Sequence, residues 1–242
     1  MSGHSKWSNI KHRKAKQDQE RGRIFTRLSK EITMAARHGG GDPDLNFRLR
    51  LAVDEARENN MPNDTVDKAI KRGIGALGGA NLEEVTYEGY GPGGVAVMVN
   101  ALTDNRNRTA GEVRYIFSRH GGNLGTDGCV AWMFDRKGLI FAENPKSIPE
   151  DDLLLAAIES GALDVTFAED GIEILAEPDN LEPVEKKLLE AGLKIVHAEV
   201  ALVPQNTIDL VAEDVEKLEN MLSALEDNDD LQNVWHNANL QE

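Results

Sequence analysis

The 242-residue sequence has one cysteine, eight prolines, 5% aromatic residues and more acid than base. A lone Cys129 has no partner for an internal disulfide and excludes a cysteine-based metal cluster, which fits a reducing compartment. No apolar run approaches the roughly 20 residues of a membrane span. The basic start is not followed by an apolar signal core, so the expected location is the cytoplasm. The six histidines, at 4, 12, 38, 120, 197 and 236, form no H-x-x-x-H or H-x-H pair beside carboxylates. A Walker A loop and a G-x-S-x-G elbow are both missing. With no assembled chemistry in view, the sequence predicts no catalytic residue, metal, cofactor or small-molecule substrate.

What is present is a division of charge. Lys and Arg number 27 against 42 Asp and Glu, a formal net charge of −15. The first thirty residues oppose this: nine cations (Lys6, Lys11, Arg13, Lys14, Lys16, Arg21, Arg23, Arg27, Lys30) face only Asp18 and Glu20, giving +7 there and −22 for the rest. A basic arm on an acidic body is the electrostatic footprint of a protein that meets a polyanion with one end. Trp7, His4 and His12 add flat groups that stack on unpaired bases. For Trp7 two roles stay open, as a core anchor for the arm or as a stacking group; in the second role, unpaired RNA is preferred to a duplex.

At this length two or three domains are expected. Apolar residues recur at helical spacing through Ile24, Phe25, Leu28, Ile32, Ala35 and Ala36, ending at Gly39-Gly40-Gly41. Asp42-Pro43 opens a second helix, about Leu45 to Asn59, and Asn63 and Asp64 are candidate caps of a third. Gly73 to Ala80 reads as a linker. Its G-x-G-x-x-G spacing lacks the preceding strand of a dinucleotide site, and Gly89, Gly91 and Gly94 repeat that spacing ahead of a strand, as a turn does. Strands are expected at Val85 to Tyr90 and Val95 to Leu102, then a helix through Val113, Ile116 and Phe117. Arg106 and Arg108 at its start are candidate phosphate ligands; alternatively Asp104 and Asn105 cap the helix and both arginines are solvated.

Strand 139–142, helix 151–160, strands 164–168 and 172–177, helix 181–191 and strand 193–203 spell βαββαβ, the ferredoxin-like unit. Strands at Val130 to Phe134 and Ile208 to Val211 flank it, followed by a helix from Ala212 to Leu225 and a short strand near Asn233 to His236. The expected fold class is α+β multidomain: a basic helical domain over 1–75, a discontinuous α+β domain over 76–137 and 204–242, and an inserted ferredoxin-like domain over 138–203. The run Glu226-Asp227-Asn228-Asp229-Asp230 lacks the glycine and closing glutamate of a Ca²⁺ loop and reads as a solvated helix end.

Long blocks carry a resemblance. Gly3-His4-Ser5-Lys6-Trp7, Ile10-Lys11-His12-Arg13-Lys14, Gly22-Arg23-Ile24-Phe25, Gly39-Gly40-Gly41-Asp42-Pro43, the stretch from Tyr87 to Gly94, that from Leu102 to Thr109 and that from Gly121 to Gly128 resemble the YebC-type family. That resemblance implies three domains and a regulator of gene expression, linked to promoter DNA in some members and to the ribosome in others, with mitochondrial relatives acting as translational activators. One departure is Phe47, where proline is expected before Arg48-Leu49, and it is expected to lengthen the second helix by a turn. The leading expectation is a cytoplasmic transcriptional regulator binding DNA through the basic N-terminal domain. A ribosome-associated, RNA-binding regulator of translation is the alternative within that class. A metal-dependent enzyme acting on nucleic acid, with Asp104, Asp127, Arg106 and Arg108 gathered together, is the alternative outside it.

Overall fold

The computed structural model describes residues 21–78, 81–144, 148–168 and 171–240. Three helices open it: α1 (Arg21–Gly39), α2 (Phe47–Glu58) and α3 (Asn63–Gly73). Leu28, Ile32, Ala35 and Ala36 place the buried stripe of α1 against Leu49, Ala52, Val53 and Ala56 of α2 and Val66 and Ala69 of α3. The start of α2 is fixed by Asn46, which is buried. Its Oδ1 accepts from Leu49 N at 3.2 Å, while Nδ2 donates to Ala35 O and Gly40 O, both at 2.8 Å. One amide thus caps α2 and ties it to the end of α1. Helix α2 therefore starts two residues later than periodicity predicts, and Leu45 is left exposed. Phe47 is its first residue, a position that suits proline equally, so the departure does not add a turn.

Helix α3 departs from expectation in its cap. Pro62 occupies the cap position, and Asn63 and Asp64 lie inside the first turn, where Asp64 Oδ2 accepts from Lys68 Nζ at 2.6 Å. Gly73, assigned to a linker above, is the last helical residue and a packing glycine. A Cβ there would lie 2.4 Å from Thr33 O and 2.7 Å from Ala36 Cβ.

Strands β1 (Glu83–Tyr90) and β2 (Ala96–Thr103) form an antiparallel hairpin, followed by α4 (Arg106–Arg119) and β3 (Asn123–Leu124). After the insertion come β8 (Ile208–Asp209), α7 (Ala212–Glu226), β9 (Leu231–His236) and β10 (Ala238–Asn239). The sheet order is β3-β1-β2-β9, and β8 pairs with β10 separately. Val97, Val99, Val113, Phe117, Leu218, Met221 and Leu225 fill the core between sheet, α4 and α7. Gly89 is required where β3 crosses: a Cβ would stand 2.5 Å from Asn123 O and 2.6 Å from a Phe117 ring carbon.

The inserted unit is β4 (Phe134–Glu143), α5 (Glu150–Ser160), β5 (Ala162–Ala168), β6 (Gly171–Ala176), α6 (Leu181–Ala191) and β7 (Lys194–Pro204), in sheet order β5-β6-β4-β7 with every pair antiparallel. This is the ferredoxin-like order. The separate strand expected at Val130 to Phe134 does not form: Ala131–Met133 is a single tight turn, and Phe134 begins β4 itself. Residues 134–205 make one compact unit and 21–133 with 206–240 the other.

The Asn46 junction generates a test. Asn46→Ala should destabilise the helical domain by about 2–3 kcal/mol, since it removes a cap acceptor and two buried amide bonds. Asn46→Asp, which keeps the acceptor and loses both donors, should cost less. Hydrogen exchange at the α2 amides measures both.

Candidate nucleic-acid interface

Of the cations predicted to meet nucleic acid, Lys6, Lys11, Arg13, Lys14 and Lys16, together with Trp7 and His12, lie outside the described residues. Arg21 opens α1. Arg23, Arg27 and Lys30 follow at i, i+4 and i+7 and share one face. That face lies along residues 227–232, which run from the end of α7 into β9. Arg23 Nη1 is 3.3 Å from Asp227 Oδ1, and Arg27 Nη2 donates to Gln232 O. Lys30 Nζ donates to Asp229 O at 3.0 Å and to Asp230 Oδ1 at 2.5 Å. The acidic run read above as a solvated helix end is instead the partner of α1.

Asp230 is the centre of that contact, at 5% exposure. Its Oδ2 accepts from Arg108 Nη2 at 2.6 Å, Thr109 Oγ1 at 2.7 Å and Thr103 Oγ1 at 3.1 Å. Burial alone would raise the Asp230 carboxyl, but hydrogen bonds from Lys30, Arg108 and Thr109 prevail and hold it well below the usual carboxylate range. At the start of α4, Asn105 Oδ1 accepts from Arg108 N at 3.1 Å and caps the helix. Arg108 is not merely solvated, because Nη2 also meets Asp104 Oδ1 at 3.0 Å. An anion does sit at this helix start, and it is the chain's own carboxylate. Arg106 is exposed and makes no ion pair among the described residues.

A second carboxylate is buried at the far end of α4. Glu88 Oε1 accepts from Gly128 N at 2.7 Å, and Oε2 from Val130 N and Ala131 N, both at 2.9 Å. Burial opposes its charge, yet the three backbone N–H groups win and lower it. Between them, the Cys129 thiol is pushed up by burial and by the Glu88 charge, so it is a poor nucleophile. The Cys129 carbonyl receives two aromatic donors, Tyr90 Oη and Trp132 Nε1, each at 3.2 Å.

Asp104 and Asp127 are not gathered with Arg106 and Arg108 in this way. Asp104 precedes α4 and Asp127 follows it, so the helix, about 20 Å long, stands between them. Among the described residues no three His, Cys, Asp or Glu side chains are grouped to hold a metal, and no helix is long and apolar enough to cross a membrane. Sequence reasoning missed Asp230, Thr103, Thr109 and Glu88. The available signal was the pair of threonines flanking Asp104 to Arg108, small hydroxyls at the two ends of a polar loop.

Removing the charge of Asp230 takes from Lys30 its carboxylate partner and leaves Arg108 with Asp104 alone, so Asp230→Asn should destabilise the protein by about 3 kcal/mol at neutral pH. The folded carboxyl lies below its unfolded value near ~4, so its contribution is full above that value and is lost as pH falls toward the folded one. The melting-temperature gap between wild type and Asp230→Asn should therefore narrow on acidification below about pH 4.

Comparison with known proteins matches both parts of the chain. Residues 5–76 fit the family model described as the TACO1/YebC protein N-terminal domain, and residues 82–238 that of the TACO1/YebC second and third domain. A "probable transcriptional regulatory protein" of Thermoanaerobacter pseudethanolicus is 55% identical over 242 residues, covering 100% of this chain and 98% of that one. One of the same description from Caldanaerobacter subterraneus subsp. tengcongensis is 54% identical, covering 100% of both. The crystal structure of a conserved hypothetical protein, Aq1575, from Aquifex aeolicus superposes with a TM-score of 0.85 at 46% identity over 94% of each chain. With both domain models and full-length relatives in agreement, this chain belongs to the TACO1/YebC family.

Proposed function

We propose that this protein is a regulator of gene expression that acts as a transcriptional regulator, binding DNA through its basic N-terminal domain. The observation that carries the reading is the charge division: nine cations and two acids in the first thirty residues of a chain of net charge −15. The names of the relatives support a regulatory role. Because Arg23, Arg27 and Lys30 are engaged with residues 227–232, phosphate contact in this reading falls chiefly to Lys6, Lys11, Arg13, Lys14 and Lys16.

A second reading, a ribosome-associated factor contacting ribosomal RNA, is favoured by one feature. Trp132 and Tyr115 are 67% and 64% exposed, and ring faces of this kind serve unpaired bases rather than a duplex. The two readings separate when promoter binding and ribosome co-sedimentation are measured on one preparation at matched salt.

If about five arm cations each neutralise one phosphate, log K should fall against log salt with a slope of roughly −3 to −5. Reversing Lys11, Arg13, Lys14 and Lys16 to Glu should flatten that slope. The same reversal at Arg23 and Arg27 should instead destabilise the fold. A slope indifferent to the arm would place the contact elsewhere.

A further inference from the structure

We propose that Tyr90 and Trp132 form a stacking platform for an unpaired base of single-stranded RNA, with the neighbouring phosphate met by the Arg119 side chain at the end of α4; this rests on the nucleic-acid reading above. The chain has only three tryptophans and three tyrosines, and large rings are worth most when buried. Here Trp132 is 67% exposed and Tyr90 38%. Both are pinned. Tyr90 Oη and Trp132 Nε1 each lie 3.2 Å from the same Cys129 carbonyl, so the polar tips converge on one atom.

That carbonyl is itself anchored. Cys129 N donates to Thr126 O at 3.1 Å, and the flanking Gly128, Val130 and Ala131 N–H groups grip buried Glu88. Rings already fixed on a rigid loop lose little freedom on binding. The surroundings suit a phosphate. Tyr90 pairs with Asn123 of β3, which directly follows the C-terminal turn of α4 carrying Arg119 and His120. Of the four arginines of α4, Arg114 and Arg119 lie in the half that leads to β3, whereas Arg106 and Arg108 lie in its first turn. Arg114 and Arg119 make no ion pair among the described residues. Ring faces beside cations fit bases joined by phosphates. Duplex bases are stacked on one another, whereas RNA loops present bases unpaired.

The test is fluorescence anisotropy of the full chain with a labelled, unstructured oligoribonucleotide and with duplex DNA. Trp132→Ala should weaken RNA binding about 5- to 150-fold at unchanged salt slope, leave duplex binding unaffected, and melt as wild type does. Trp132→Phe should retain most of the affinity. Equal RNA binding by Trp132→Ala and wild type, while arm reversal abolishes it, overturns the platform and leaves the nucleic-acid reading standing. No binding of either nucleic acid by wild type overturns both. Equal loss on duplex, a lowered melting temperature, or saturable binding of a proline-rich peptide in place of RNA, the other chemistry such rings take, also overturns it.

Discussion

The structure turns on a carboxylate that has left water. Asp230 is nearly inaccessible, and a charge in that position is tolerable only when its lone pairs are filled. The fillers come from two stretches far from it in sequence: Lys30 in α1, and the loop from Thr103 at the end of β2 to Arg108 and Thr109 in the first turn of α4. Leu102 N also donates to the Asp230 carbonyl at 2.8 Å, which draws β2 and the start of β9 together. This side chain is the buried centre of the contact between the helices and the sheet that follows them, with Arg23 on Asp227 and Arg27 on the Gln232 carbonyl beside it.

Glu88 is buried with a different solution. Among the described residues no cation pairs with it; three N–H groups of one loop converge on its two oxygens and shape the segment from Gly128 to Ala131. Cation pairing joins elements far apart, whereas backbone donation folds a loop around its own anchor. The first kind of contact fixes domain placement and the second fixes local shape. Both consume charges that composition alone credits to solvent.

Periodicity made much of this architecture legible. The α6 helix follows the expected bounds, Leu181–Ala191, and the βαββαβ order emerges from alternating periods of 3.6 and 2. Local pattern did not reveal contacts between remote residues. The partner that makes Asp230 buried lies 200 positions away in Lys30, and a charge run reads the same whether it faces water or a helix. Asn46 was missed for a related reason, because its cap is reinforced by carbonyls of α1 as well as by its own helix. The candidate site was half visible: the basic arm and the Arg106 to Arg108 loop stand out as charge, whereas the ring pair at Tyr90 and Trp132 is defined by a shared carbonyl that no spacing announces.

The register of the inserted unit has a kinetic consequence. Phe134 pairs with Pro204, so the insertion enters and leaves through neighbouring residues of one antiparallel ladder. The parent sheet pairs β2 with β9 across a long interval, Ala101 against Leu231, and more than half of that interval is the insertion. Once the ferredoxin-like unit has folded, its two ends are already side by side, and the chain between β2 and β9 behaves as a far shorter loop. The closure entropy of the parent domain then grows with the logarithm of that shortened length. An insertion that doubles the contour between two strands thus adds little to the barrier for joining them, provided that it folds first.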